Sequence, residues 1–566
     1  MIELYPEFYN DVFGPIMQPG SSSHMAAPCR AGYLCNSILG EDVAEILVEL
    51  DNDGSFKGTF GTMNEDLGML NGAMGHLPDY KGFFGVKADL KGRGIPYKFD
   101  FCTMKESPHI NSLKFIITGV SGKKASLVAN SIGGGMIETV WVNGYEFVGK
   151  GDTYVLCVYD EARALDHSTL HTKIAELQPV LEHGTGEGQN KMLELADGTC
   201  AGYGIGMMHW FKIDSEPVAE TTDMLRAIFA ERKACADGAQ NSESKAQESK
   251  SCSWAVLKPV LPVPTTSTKK PQLYQDMVEW RRLAAEQGKS LPEVAIDYEM
   301  AASGWTREQV VSYMRDTIMP AMYRRTHALY EEDVTPITTP FTELHYKKWH
   351  AAMPTLPLNM GVISKSIQYV MAGQPPVEGV LNVPGPMGTG GGFIFGVLSS
   401  VQETLELSQE TLMNGLFVAA GVGAICYTRS APTGEVTGCT GECGCCSAMA
   451  AAAVAQMLGG TPEQVEAAAS MALQASVGWP CDPIPGGKDM PCMARVLYVA
   501  TMSIVYAQWA LAGQDPVLPF HEVLDVADTI GRGLSGDLLC TARGGHCAAP
   551  TAKKLACSFR EWHSKQ

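Results

Sequence analysis

The sequence predicts a multidomain α+β protein, with an N-terminal α/β part, a small βαβ-type module and a C-terminal all-α part. Three observations carry that reading. The chain has 566 residues, more than one ordinary domain holds. Strand-like runs rich in β-branched and aromatic residues all precede residue 236, and helical spacing dominates after Leu273. Between these regions lie a polar stretch of low complexity, DGAQNSESKAQESKS, and a proline-rich one, VLKPVLPVPTTSTKKP.

Residues 1–150 are expected to form the first unit, with strands at Val43–Leu50, Leu113–Thr118 and Thr139–Val148 separated by glycine-containing turns. Residues 151–235 suggest a strand at Tyr154–Tyr159, a helix at Leu170–Leu181 and a strand near Met192. Residues 236–272 read as a linker, flexible and then stiffer. Residues 273–566 read as helices. MVEWRRLAAEQGKS and TREQVVSYMRDTIMPAMYRRTHALYEE carry apolar residues at three-to-four spacing, and Thr461 is placed to cap the helix TPEQVEAAASMALQAS. Glycine clusters near 385–392 and 434–444 mark loops within this part.

Composition narrows the function. Apolar residues make up 45% of the chain and charged residues 19%, enough apolar content for large cores. A formal charge of −19, without a compensating basic run, excludes nucleic acid as a partner. The first residues lack a basic segment followed by an apolar one, so no secretory signal is expected. Ala448–Gly459 is too short to span a membrane and Val496–Gly513 is interrupted, so both read as buried helices and no membrane partner is expected. A soluble, cytoplasmic protein with reduced thiols follows as the expectation. A homodimer is one arrangement open to two halves joined by a connector.

Seventeen cysteines are unevenly spread, with seven between Cys426 and Cys492. Cys439, Cys481 and Cys492 each stand beside loop-forming residues. Three thiolates on a [4Fe–4S] cluster would leave one iron open as a Lewis acid. Ordinary buried cysteine is the competing reading. Zinc is a third, since Cys443 and Cys446 form one C-x-x-C, but no second pair follows at zinc-site spacing.

Two further segments carry polar chemistry. In Pro19–Gly32, Ser21, Ser22, Ser23 and His24 precede a helix and can present hydroxyl and N–H groups to a carboxylate, although such a turn also serves as a plain N-cap. In Asn130–Gly135, Ser131 is followed by Gly133, Gly134 and Gly135, which permit close backbone approach to a ligand; Met136 stands where a phosphate loop would continue with lysine.

Taken together, SSSH, SIGGG, GCTGECG, CDP, PC-x-x-R and TARGG resemble the iron–sulfur-dependent L-serine dehydratases, here with β-type and α-type parts fused in one chain. The resemblance covers residues 10–150 and 360–550. It implies a β-type substrate-binding domain, an ACT-like module at 151–235 and an all-α catalytic domain. It also implies a [4Fe–4S] cofactor on Cys439, Cys481 and Cys492, and dehydration and deamination of L-serine to pyruvate and ammonia. In it Ser21, Ser22, Ser23, His24, Ser131, Gly133, Gly134, Gly135 and Thr389 would hold the amino acid, with His24 or His76 as catalytic histidine.

Some segments depart from the family's pattern. Gly and Pro are exchanged ahead of SSSH, and Met25 replaces a threonine. Phe60 stands where a histidine of a G-H-G-T-D segment is expected, which leaves His76 as a substitute base. The A-P-T-x-G loop becomes Val383–Thr389. The changes leave room for β-elimination from another substituted amino or hydroxy acid, such as L-cysteine. A non-catalytic iron–sulfur sensor is the rival from another class.

Overall fold

In the computed structural model, residues 5–189, 191–194, 200–238, 252–264, 270–358 and 360–566 are described. The N-terminal region builds a six-stranded sheet from β1 (Val43–Asp51), β2 (Tyr97–Cys102), β3 (Ser112–Gly119), β4 (Lys124–Gly133), β5 (Met136–Val142) and β6 (Tyr145–Gly149). Their spatial order is β2-β1-β3-β4-β5-β6. Only the β1–β2 pair is parallel, and its connection carries the helices Glu65–Ala73 and Val86–Arg93 that such a crossover requires. The expected run 139–148 is split by Asn143-Gly144, both at positive φ, into the hairpin β5–β6. Helix Ala27–Leu39 buries Ala31, Leu34 and Ile38 against the sheet core.

The next region forms a second sheet from β7 (Tyr154–Asp160), β8 (Val180–Glu187), β11 (Met207–Ile213) and β12 (Cys252–Leu257), with β9 (Lys191–Glu194) and β10 (Cys200–Tyr203) as a side hairpin. The sheet is antiparallel in the order β12-β7-β11-β8. Helices His167–Ala175 and Ala219–Gly238 connect its strands, and the first packs Leu170 and Ile174 on Leu156, Val158 and Phe211. The alternate residues of β7, Val155, Cys157 and Tyr159, join the core of the first sheet. The two sheets therefore share apolar surface and are packed as neighbours.

Three expected boundaries are corrected. The helix expected to reach Leu181 stops at Ala175, because Pro179 cannot continue it and Val180 begins a strand. The linker expected over 236–272 contains β12, whose run CSWAVL has strand-forming residues that pair with β7. Beyond it, Val260 N donates to Gly151 O and Val263 N to Asn10 Oδ1, so that stretch is pinned; residues 239–251 and 265–269 lie outside the described residues. Finally, Phe8, Tyr9, Val12 and Phe13 pack in the core of the C-terminal region, against Tyr298 and Tyr313, and not in the first sheet.

The C-terminal region is helical from Met277. Its centre is the helix Cys445–Met457, whose alanines 448, 450, 451, 452, 453 and 455 are fully buried. Small side chains on every face let the helices Gly390–Thr404, Gln409–Arg429, Pro462–Gln474 and Cys492–Leu511 pack around it. Among the described residues, Gln409–Arg429 is the helix long and apolar enough to cross a membrane, and it is 72% buried within this core.

Candidate active site

Loops of the N-terminal and helical regions enclose a cavity of about 360 Å³. The chain supplies its walls from distant points. Ser21, Ser23 and Asn64 come from the N-terminal region, and Thr389, Glu435 and the cysteines from the helical one.

Cys439, Cys481 and Cys492 all line this cavity. Cys439 ends the short helix Gly434–Cys439, where Gly438 adopts φ 65° and breaks the helical path. Cys481 lies in an extended segment bridged to Leu539, with Cys540 N donating to Cys481 O at 2.7 Å. Cys492 opens the helix Cys492–Leu511. Cys439, Glu442 and Cys481 place ligand atoms within 4.8 Å of one another. Cys443 and Cys540 also face the cavity. Cys540 is a thiol that sequence reading missed, because its neighbour Cys481 is distant in the chain and meets it only through the bridge.

Arg495, three residues into the helix that Cys492 opens, ties these segments together. Its Nη1 approaches Cys439 Sγ at 3.7 Å and its Nη2 lies 2.8 Å from Asp482 Oδ1. Asp482 also accepts from the backbone and ring of His546, both at 2.7 Å. CDP, PC-x-x-R and the segment after TARGG thus meet in one polar network. Cys443 and Cys481 donating to its sulfur, with Arg495 beside it, hold the Cys439 thiol well below the usual range. Burial pushes the Cys492 thiol well up. Desolvation, reinforced by Glu435 and Cys439, also raises Glu442 well above the usual carboxyl range.

The C-x-x-C pair on which the zinc alternative rested separates. Cys443 faces the cavity, while Cys446 packs beneath Gly385 and Gly390. The sulfur-rich donor set of Cys439, Cys481 and Cys492, with two further thiols beside it, forms a candidate metal site and fits an iron–sulfur group.

The serine segment divides into exposed and supporting residues. Ser21 and Ser23 line the cavity, and Ser21 Oγ also caps the turn by accepting from His24 N at 3.1 Å. Ser22 is buried outside the lining. His24 is fully buried behind Ser23, with Nδ1 3.0 Å from both Ser23 Oγ and Glu435 Oε1 and Nε2 3.2 Å from Ser55 Oγ. Both ring nitrogens are engaged, and His24, expected as a catalytic histidine, lies outside the cavity lining. Ser23 Oγ donates to Glu435 Oε1 at 2.7 Å, joining the two regions. Burial opposes charge on both partners, yet their contact holds Glu435 down to about 2 and His24 above its usual value.

Ser131 and its glycines also support the site from behind. Ser131 Oγ donates to Ser23 O at 2.8 Å. Gly133, at φ 99°, lies where an added Cβ would stand 2.8 Å from Thr433, whose hydroxyl donates to Glu435. Gly134 and Gly135 form the β4–β5 turn against Tyr427 and Pro15. These residues were expected to hold substrate; the close approach their glycines permit is to another part of the chain. Thr389 does line the cavity, with Oγ1 3.2 Å from Gln374 Oε1.

His76 is outside the lining and stacks on Tyr80 at 3.7 Å, which corrects its expected role. Phe60 packs edge-on against Phe99, Phe101 and His563, also behind the wall. No histidine lines the cavity among the described residues; its titratable groups besides the thiols are Glu435, Glu442, Lys488 and Asp489.

Comparison with known proteins identifies this architecture. Residues 286–546 match the family described as serine dehydratase alpha chain. The chain is 35% identical over 170 residues to the probable L-serine dehydratase, alpha chain, of Bacillus subtilis, covering 30% of this chain and 57% of that one. It is 33% identical over 177 residues to the L-serine dehydratase, alpha chain, of Peptoniphilus asaccharolyticus, covering 31% and 61%. It is 33% identical over 170 residues to the probable alpha chain of Latilactobacillus sakei, covering 30% and 81%. The chain thus spans about three fifths of the length of the first two relatives. With the cysteine motifs meeting in one cavity, these matches place the chain in the iron–sulfur-dependent L-serine dehydratase family.

Proposed function

We propose that the protein is a lyase that converts L-serine to pyruvate and ammonia with a [4Fe–4S] cluster held by Cys439, Cys481 and Cys492. The observation that carries this reading is the meeting of those thiols with the Ser21, Ser23 and Thr389 hydroxyls around one cavity. When bound, the cluster supplies an iron without a thiolate ligand as a Lewis acid for the substrate hydroxyl.

The protein's own groups supply binding and proton handling. Ser21 is placed to donate a hydrogen bond to the amino-acid carboxylate, while the oxygens of Ser23 and Thr389, whose protons go to Glu435 and Gln374, are left to accept from its ammonium group. Ser23 is fixed in place by Glu435 and His24 behind it. Glu442, on the cavity wall with its carboxyl raised by desolvation and by Glu435 and Cys439, is placed to donate to the departing hydroxyl. A fixed pose would hold the leaving hydroxyl beside Glu442 and the open iron at once, which is where the rate gain arises.

The finer fold reading belongs to the same proposal. The first sheet corresponds to the β-type domain. The βαββαβ order of the second sheet supports an ACT-like module. A soluble cytoplasmic location accords with the burial of the Gln409–Arg429 helix. Tyr498, Val505 and Trp509, exposed along one helix, offer a face for a homodimer, to be measured by light scattering.

The test is keto-acid and ammonia release by protein reconstituted with iron and sulfide without oxygen, with L-serine, L-threonine, L-cysteine and D-serine in parallel. Pyruvate from L-serine at an ordinary enzymatic rate is expected. An intact cluster absorbance with no turnover of L-serine overturns the substrate assignment, and turnover of L-cysteine alone would replace it.

A further inference from the structure

Four histidines gather in the second sheet, on the face covered by helices. None of them lines the cysteine cavity. His167 and His171 stand one turn apart on the helix His167–Ala175, so they share a helical face. His183 lies on β8 and His209 on the neighbouring β11, where His209 pairs with Thr185 and His183 with Phe211. His167 Nδ1 is 3.1 Å from His209 Nδ1, and His167 Nε2 is 2.9 Å from His183 Nδ1. The His171 ring stacks on His183 at 3.9 Å.

The contacts order the protons in this group. Asp160 Oδ2 lies 3.7 Å from His209 Nε2 and favours the proton there, leaving His209 Nδ1 as an acceptor. His167 Nδ1 then donates to it, and His167 Nε2 accepts from His183 Nδ1, so the lone pair that a cation would take faces His183. An acidic group behind a chain of imidazoles is the arrangement that orients a metal-binding histidine. Asp166 caps the helix, accepting from Thr169 N at 2.8 Å, and so holds His167 at its first position.

His167 Nε2 and His183 Nδ1 stand 2.9 Å apart, against about 3.3 Å for two nitrogens on one tetrahedral zinc with metal–nitrogen bonds of about 2.0 Å, so a small outward shift of His183 opens the place of a cation.

We propose that His167, His171 and His183 form a binding site for a borderline divalent transition cation of the zinc, nickel or cobalt class, with His209 and Asp160 orienting His167. His171 is half-exposed and joins by turning its ring from the stacked pose. A water or a small ligand's donor completes the coordination. The site joins the helix to the edge strand β8, so an occupant stiffens the module.

The test uses the full chain with its iron–sulfur group reconstituted, desalted and titrated with Ni²⁺ by calorimetry, with thermal melting read alongside. One equivalent is expected to bind and to raise the melting temperature. His183→Ala and His171→Ala are expected to lose both effects, and Cys481→Ser to keep both. His183 is exposed, so its replacement leaves the fold intact; the melting temperature without nickel verifies that. Absence of binding by the wild type, unchanged binding by the histidine variants, or loss of binding in Cys481→Ser overturns the proposal. No readout depends on serine turnover, so failure here and failure of the lyase reading are separable.

Discussion

His24 Nδ1 lies 3.0 Å from Glu435 Oε1, and both side chains are buried. The pair joins residues from opposite regions of the chain directly behind Ser23, so the docking of the two regions and the shape of the cavity depend on the same contact. Replacing one partner strands the other's charge in the interior. His24→Leu or Glu435→Leu should each cost about 3–5 kcal/mol, measured by chemical denaturation. A loss below about 1 kcal/mol would show that water reaches the pair.

The same pair sets a pH window. Glu435 is held down to about 2 from its usual 4.5, so its contribution is present above pH 4.5 and lost as pH falls toward 2. His24 is raised above 6.5, so its contribution is complete below pH 6.5 and lost as pH rises through the higher folded value. Glu65, raised by burial to about 7, loses stability in the same alkaline direction. Stability attributable to the pair should therefore be greatest between about pH 4.5 and 6.5. Melting curves of the wild type and a His24→Leu/Glu435→Leu double variant should differ most within that window; a constant difference from pH 5 to 9 would sink the assignment.

The cysteines divide by position. Cys439→Ser, Cys481→Ser and Cys492→Ser should each abolish the visible absorbance of the reconstituted protein. Cys445 is buried in the central helix and outside the cavity wall, so Cys445→Ser should retain it. Equal loss in Cys445→Ser would mean that the ligand set is wrong.

Arg495 acts on Cys439 and Asp482 together, a geometry that a lysine point charge does not reproduce. Arg495→Lys should raise the Cys439 thiol toward its ordinary range and weaken metal affinity about 10- to 100-fold. Alkylation rate against pH in the metal-free protein reads the first effect, and competition with a chelator reads the second. An unchanged alkylation profile would remove Arg495 from the site's electrostatics.

Gly133 separates packing from substrate binding. Its φ of 99° and the nearness of Thr433 predict that Gly133→Ala loses about 1–3 kcal/mol. The expected signature is a lowered melting temperature with KM for L-serine nearly unchanged at low temperature. A large rise in KM with unaltered stability would return Gly133 to the substrate contacts.

Much of this molecule is legible in its sequence because the signals are local. Helical spacing after Leu273, the β-branched runs of β1 and β3 and the placing of Cys439, Cys481 and Cys492 beside turn-forming residues are properties of short segments, although the stretch 434–444, expected as a loop, winds into a short helix and a π-helical turn with Cys439 at their junction. What depends on distant neighbours was decided by the tertiary structure. Ser131 and the glycines beside it look like a ligand cradle in isolation, but Thr433 and Ser23 take the space and the hydrogen bonds. His24 looks reactive until Glu435 and Ser55 occupy both its nitrogens, and His167, His171, His183 and His209 look scattered until two strands and a helix bring them together. The chain by itself determined which chemical groups were available and which local backbones would carry them. Only packing decided which of those groups face open space, because a side chain's free valence is set by neighbours hundreds of residues away.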